Sequence, residues 1–336
     1  MSRAPVSFTG AAQRAFGSKP CSARWPCRPP SSHHSGGQHP LVDLCRHLHG
    51  TIHSPVARLS IIPIRTALTA FLAALLLTAI AAPAAAQGRW QPRPTTAPWQ
   101  WQLQGSLDLG VDAGVYDVDG FEATAADVRA LHRRGRKAVC YLDVGSWESY
   151  RPDAGEFPPA VIGRRYAGFP DERWLDVSRF HLFAAPLRER IGICARKGFD
   201  AVEPDNLAGW EPENETGFEI DRGDQLRFNR WIARQVHRRG MAVALKNDGR
   251  QAAQLVGQFD FAIVEECFQY EECGYYRAFV DRDKAVFAAE YELETAEFCD
   301  AARALGFSAI RKSYDLFARP WEPCETRVRV GGLISG

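Results

Sequence analysis

Histidine is scarce where this chain can fold. Of nine histidines in 336 residues, six lie before Gln87, and only His132, His181 and His237 follow. Two of these open the tetrapeptides His132-Arg133-Arg134-Gly135 and His237-Arg238-Arg239-Gly240, where a cation meets the negative pole of a helix end. A Ser-His-Asp triad or a histidine-rich zinc site is therefore poorly supplied. No G-x-G-x-x-G or G-x-x-x-x-G-K-[S/T] loop occurs, so nucleotide binding has no support. Long apolar runs are missing too. Residues 67–82 are apolar apart from Thr69 and Thr78, short of the roughly 20 residues that span a bilayer.

That run has Arg58 and Arg65 upstream and Ala84-Ala85-Ala86 behind it. A basic start, a short apolar middle and an A-x-A site predict a secretory signal peptide cleaved near Ala86, with a membrane anchor as the alternative. Residues 1–55, rich in Pro, Ser and His without periodicity, are expected to be a non-native or disordered leader, translation starting near Val56. The predicted organisation is leader 1–55, signal peptide 56–86, linker and N-terminal segment 87–101, main folded domain 102–325 and tail 326–336. The expected location is secreted, or periplasmic and cell-surface.

Eight of the 41 basic and one of the 40 acidic residues precede Gln87, so the remainder carries 33 against 39. A surface of about −6 disfavours nucleic acid and suits a polycation. Six cysteines remain, an even number that fits disulfides in an exported protein. Cys267–Cys273 and Cys299–Cys324 are the favoured bridges. Cys140 and Cys194 are as well read as two buried thiols as a third bridge.

Four times a helix end runs into glycine and then into an apolar strand ending in acid or amide. Gly135 leads to Val139–Asp143, Gly198 to Ala201–Asn206, Gly240 to Val243–Asn247, and Gly306 to Ala309–Lys312. Glycine tolerates the positive φ that stops a helix, and an apolar run reads as a buried parallel strand. Strands are predicted at 114–118, 137–142, 174–177, 200–204, 242–246, 261–265, 285–290 and 308–312. Helices are predicted at 125–134, 186–197, 225–237 and 295–305. Eight β/α units in about 250 residues predict an α/β fold, a single-domain (β/α)8 TIM barrel, whose chemistry sits at the carboxyl ends of the strands.

Those ends carry Asp117 and Asp119, Asp143, Asp176, Asp205 with Asn206, Lys246 with Asn247, Glu265 with Glu266, Glu290, and Arg311 with Lys312. One acid at a strand end is usually the cap of the next helix, but a ring of them points to function. Paired carboxylates without histidine are the chemistry of glycoside hydrolysis. Tyr141, Trp147 and Tyr291 would offer apolar platforms to sugar rings. No metal and no cofactor is expected.

Several blocks resemble the endo-α-1,4-polygalactosaminidases of glycoside hydrolase family 114. They include Trp99-Gln100-Trp101-Gln102, Tyr116-Asp117-Val118-Asp119, Cys140-Tyr141-Leu142-Asp143-Val144-Gly145-Ser146-Trp147, Glu203-Pro204-Asp205-Asn206, Leu245-Lys246-Asn247-Asp248, Glu265-Glu266-Cys267 and Glu290-Tyr291. The resemblance implies a barrel that cuts inside α-1,4-linked galactosamine chains, with Asp205 and Glu265 as the catalytic pair and retention of configuration. Glu203, two residues before Asp205, is the alternative inward acid. The chain departs from the family at Glu266, where Gln is common. Asp117, Asp119, Tyr141, Asp143, Trp147, Glu203, Asn206, Lys246, Asn247, Glu266, Glu290, Tyr291 and Arg311 are expected to bind substrate or position the pair. A cationic polysaccharide is the expected partner, with no nucleic acid, no stable membrane partner and a monomeric protein. The alternatives are a related barrel acting on another α-linked glycan and a non-catalytic polysaccharide-binding barrel.

Overall fold

The computed structural model describes residues 88–324 apart from Thr96. The leader, the signal peptide and the tail after Cys324 lie outside the described residues. In chain order the strands begin with β1 (Trp99–Gln102), β2 (Val115–Asp119), β3 (Lys137–Asp143), β4 (Ser146–Glu148), β5 (Ile162–Arg165) and β6 (Glu172–Leu175). They continue with β7 (Ala201–Asp205), β8 (Ala242–Lys246), β9 (Phe261–Glu265), β10 (Val286–Glu290), β11 (Ser308–Arg311) and β12 (Glu322–Pro323). The α-helices are α1 (Ala125–Arg133), α2 (Ala184–Lys197), α3 (Arg222–His237), α4 (Ala252–Leu255), α5 (Arg277–Val280) and α6 (Thr295–Leu305).

Eight strands form one parallel sheet in the order β1-β2-β3-β7-β8-β9-β10-β11, with β12 antiparallel on β11. The sheet curls into a nearly closed (β/α)8-type barrel. Side chains and backbone seal the seam between β11 and β1. Lys312 Nζ donates to Gln100 Oε1 at 3.1 Å, Trp321 Nε1 to the Trp99 carbonyl at 2.8 Å, and Leu103 N to the Leu316 carbonyl at 3.0 Å.

The first strand and the third differ from expectation. Trp99–Gln102 falls largely in the stretch assigned above to a linker, yet all four residues are buried. Its two tryptophans fill the barrel interior. Its glutamines face the other way and satisfy carbonyls: Gln100 Nε2 reaches Ala318 O, and Gln102 Nε2 reaches Ser106 O. The predicted strand at 174–177 is no stave of the barrel. Its residues Trp174 and Leu175 belong to β6, which pairs antiparallel with β4 and β5 in a separate sheet inserted between β3 and β7. A half-buried Glu172 and an exposed Arg173 open β6, a poor start for a stave covered on both faces. The total of eight therefore survives with one member exchanged.

Alternation along the staves decides what reaches the site. Inward positions Val139, Ala201, Ala244, Ile263 and Ala289 join Trp99 and Trp101 in the barrel core. Outward positions Cys140, Val202, Val243, Val264 and Ala288 pack beneath the helices. Two residues further on, the inward rows end in Tyr141, Glu203, Lys246, Glu265 and Tyr291, because side chains alternate with period two.

The glycine stops appear as expected: Gly135, Gly198, Gly240 and Gly306 all have positive φ. Each His-Arg-Arg-Gly histidine pairs with an aspartate at a strand entrance, His132 with Asp200 and His237 with Asp260, both at 2.8 Å. Both lie at the end of the barrel opposite the strand exits. All six cysteines of the described domain are bridged, as Cys140–Cys194, Cys267–Cys273 and Cys299–Cys324. The pair left open in the sequence is a bridge from β3 to α2. Among the described residues no helix is long and apolar enough to cross a membrane.

Candidate active site

Lys246, at the end of β8, organises the mouth of the barrel. Its Nζ lies 2.9 Å from Asp205 Oδ1, 3.0 Å from Glu265 Oε2 and 3.4 Å from Glu203 Oε1, with the Trp101 ring 4.8 Å away. The lysine side chain is 2% exposed, while Asp205 and Glu265 are 18% and 27% exposed. A buried ammonium thus stands between two carboxylates that remain open to solvent. Burial pulls the lysine pKa down, but Asp205, Glu265 and Glu203 together carry it well above its ordinary value.

Further donors fix both open carboxylates. Asp205 accepts from Asn206 N at 2.8 Å and from the Tyr141 phenol at 3.1 Å. Glu265 accepts from the Tyr291 phenol at 2.5 Å and from Asn247 Nδ2 at 3.1 Å, and its own N–H donates to Asn247 Oδ1. Burial, reinforced by these carboxylates, raises the phenols of Tyr141 and Tyr291 well above the usual range. Directly after the inward residues, Asn206, Asn247 and Glu266 each adopt positive φ. That conformation is uncommon outside glycine and clusters at functional sites.

Beneath the lysine lie Asp117 and Glu203, both fully buried. Their side chains touch, and none of their four oxygens accepts a hydrogen bond from a conventional donor. Burial and mutual repulsion raise Asp117 strongly, and burial moves Glu203 up to about 7.

Asp143, also fully buried, supports the mouth from one side. It accepts from Gly145 N, Ser146 N, the Ser146 hydroxyl and Asn206 Nδ2, so it holds the residue that follows Asp205. One carboxylate oxygen each of Asp143, Glu148 and Glu172 lies within 4.8 Å of the other two. Burial raises Asp143 well above the carboxylate range and Glu172 to about 7. Glu148 is balanced by Arg151 and Arg190, and Arg151 also grips Asp119 at 2.7 Å.

The remaining expected residues lie off this centre. Asp119 belongs to the arginine network just described. Trp147 donates its indole N–H to Ala154 O. Glu290 follows outward-facing Val286 and Ala288, so it turns from the interior and accepts from Phe268 N and Gln269 N, securing the loop after β9. Arg311 has the same outward parity and pairs with Glu294 at 2.8 Å and Glu322 at 3.4 Å. Glu266 accepts from the Tyr314 phenol at 2.8 Å, and Tyr314 stacks on Tyr291 with ring centroids 4.3 Å apart. Beside this stack, at the exits of β10 and β11, a cavity of about 250 Å³ is lined by Tyr291, Glu292, Arg311, Lys312, Tyr314 and Glu322 among others.

Three contributors escaped the sequence reading. Tyr166 faces the pair closely enough for Asp205 and Glu265 to raise its phenol after burial has done so. Tyr314 and Glu172 complete the set. Tyr166 and Glu172 belong to the antiparallel insertion and Tyr314 to the loop after β11, outside the strand ends where inward acids were sought.

With this geometry in view, the chain matches the description of glycoside-hydrolase family GH114 over residues 79–329. The chain belongs to that family, and it is a glycoside hydrolase. Among solved structures it is similar to the Aspergillus fumigatus protein Ega3 crystallised in complex with galactosamine. Identity is 31%, covering 71% of this chain and 98% of the other, with a TM-score of 0.66. The glycoside hydrolase domain of PelA from Pseudomonas aeruginosa shares the fold, at 15% identity over 65% of this chain and 95% of the other and a TM-score of 0.54. No curated protein matches the chain in sequence.

Proposed function

We propose that the protein is exported and cleaves internal α-1,4 bonds of a cationic, galactosamine-containing polysaccharide, with Asp205 and Glu265 as the catalytic pair. The observation that carries this reading is the shared ammonium of Lys246. Two partly open carboxylates each within 3.0 Å of one nitrogen have those oxygens less than about 6 Å apart, close enough to flank one glycosidic bond. Retention of configuration is the outcome the family resemblance favours.

Asp205 is the less exposed acid, braced by Lys246, Tyr141 and its neighbour's N–H. It is the nucleophile, attacking the anomeric carbon to form a glycosyl-enzyme. Glu265 is the more open acid and protonates the departing glycosidic oxygen. It then takes a proton from the water that releases the sugar from Asp205. The Tyr291–Tyr314 stack and the adjoining cavity receive the neighbouring sugar unit, apolar ring faces against its carbon skeleton. Substrate charge fits as well: an amino sugar without its acetyl group is a cation, drawn to a domain with a surplus of acids. Ega3, crystallised with galactosamine, supports the choice of sugar. Three disulfides support export to an oxidising compartment.

The test compares new reducing ends from deacetylated and from fully N-acetylated α-1,4-galactosaminan. Release from the deacetylated polymer is expected. Equal release from both, or release only from a neutral α-glucan, would overturn the substrate assignment.

A further inference from the structure

Asp117 and Glu203 are an anomaly in the accounting of this site. Buried carboxylates elsewhere in the domain are answered by donors: Asp119 by Arg151, Asp143 by Ser146 and Asn206, Glu148 by two arginines. Asp117 and Glu203 are equally buried, yet no oxygen of either accepts a conventional hydrogen bond. The unpaired donor nearest in register is the indole N–H of Trp101, opposite Asp117 in the β1–β2 pairing, and it makes no bond either. What each carboxyl does have is the other, in direct contact.

The charged groups around the pair are Lys246 from β8, Asp205 from β7 and Glu265 from β9. One cation therefore faces Glu203, Asp205 and Glu265 together. Two adjacent dry carboxylates cannot both ionise in such surroundings, and a proton between them turns repulsion into a hydrogen bond. An ammonium has three N–H donors; Asp205 and Glu265 take the close contacts, and Glu203 is the third carboxylate around Lys246, an ion-pair partner at 3.4 Å below the two that remain open to solvent. An anion at that depth keeps the nitrogen centred between Asp205 and Glu265.

We propose that Asp117 and Glu203 hold one proton between them, and that this buried acid–carboxylate pair acts as a positioning device for Lys246 rather than as a contact for substrate. Asp117 carries the proton toward Glu203, and Glu203 carries the charge toward the lysine. The proposal rests on reading Asp205 and Glu265 as the working pair, but its first readout does not depend on activity.

That readout is infrared spectroscopy of the purified protein in a Glu265→Gln background, which removes the general acid's own carboxyl. At about pH 8, above the range where Glu203 takes up a second proton, difference spectra against each variant below are expected to show the carbonyl stretch of one protonated carboxylic acid from the pair, with any signal of the other buried acids Asp143 and Asp248 cancelling. The same band should vanish on adding either Asp117→Asn or Glu203→Gln, since each amide supplies the missing N–H and leaves its partner ionised. A band that survives both substitutions, or that responds to only one of them, overturns the shared proton. The second readout is kinetic, in the Glu265 wild-type protein. Glu203→Gln should lower kcat by about tenfold or more with KM within about twofold, the pattern of a group that does not touch substrate. Asp117→Asn should retain most of the kcat that Asp117→Leu loses. A rise in KM with unchanged kcat would make these residues substrate contacts and overturn the positioning role. Should Asp205 and Glu265 prove not to be catalytic, the infrared result stands or falls on its own.

Discussion

Tyr291 and Glu265 meet at 2.5 Å, the phenol donating to Oε1 while Lys246 and Asn247 hold Oε2. Donors from two other strand exits thereby fix the direction of one carboxyl on a third. A hydrogen bond to a charged group contributes about 1.5–3 kcal/mol to stability, so Tyr291→Phe is expected to cost stability of that order and, by freeing the Glu265 carboxyl, to lower kcat by roughly ten- to a hundredfold. Steady-state kinetics with a thermal melt check this. An unchanged kcat would mean the phenol only packs.

Lys246→Met keeps the length of the side chain and removes the cation. Three carboxylates, two of them at the open mouth, then face one another without a counter-charge. Breaking a buried ion pair in this way costs about 3–5 kcal/mol. The variant should be inactive and destabilised near neutral pH, and the deficit should shrink on acidification as the acids take up protons. Denaturant unfolding at two pH values measures it; a deficit that grows toward acid would contradict the charge account.

Glu203 and Glu290 are fully buried, and burial raises both to about 7 from an ordinary 4.5. An acid whose folded pKa is raised binds its proton more tightly in the folded chain. Its contribution is full below about 4.5 and is lost as pH rises through about 7. Thermal stability should therefore fall between about pH 5 and pH 8, by an amount on the order of a few kcal/mol. Asp260, lowered through His237, Val243 N and Arg89 despite its burial, works the other way in strong acid. Glu203→Gln with Glu290→Gln should reduce the slope from pH 5 to pH 8, leaving the share of Glu172 and Glu211, which burial also raises to about 7. A wild-type profile that rises across that window would refute the assignment.

Cys299–Cys324 spans 25 residues and Cys140–Cys194 spans 54. Loop-closure entropy assigns them about 3.5 and 4 kcal/mol respectively. Replacing either pair with serine should lower the unfolding free energy by that order, whereas Cys267–Cys273, with a separation of six, should matter less. Equal losses from all three would argue against the entropic origin.

The legibility of this fold and site in the sequence followed one rule, alternation. Asp205, Lys246 and Glu265 were readable because each ends an apolar stave whose inward row continues into it. Glu290 and Arg311 stand equally near strand ends, but their parity points outward, and strand boundaries drawn without register cannot reveal that. Trp99–Gln102 hid as a linker because it ends a stretch rich in Pro, Thr, Gln and Trp, yet Gln100 closes the barrel seam and Gln102 pins the loop that follows. Glu172 and Tyr166 were missed for a different reason. The insertion that carries them has no helix-and-strand rhythm, and its antiparallel pairing, not its sequence period, brings them to the mouth.

The most direct test of the central claim follows chain length of α-1,4-galactosaminan during incubation with the protein, with Asp205→Asn and Glu265→Gln alongside. The wild type should shorten the polymer rapidly to oligomers, generating new ends throughout, while both folded variants lose activity by a factor on the order of a thousand or more. Full activity in either variant, or polymer held by the wild type with no new reducing ends, would contradict it.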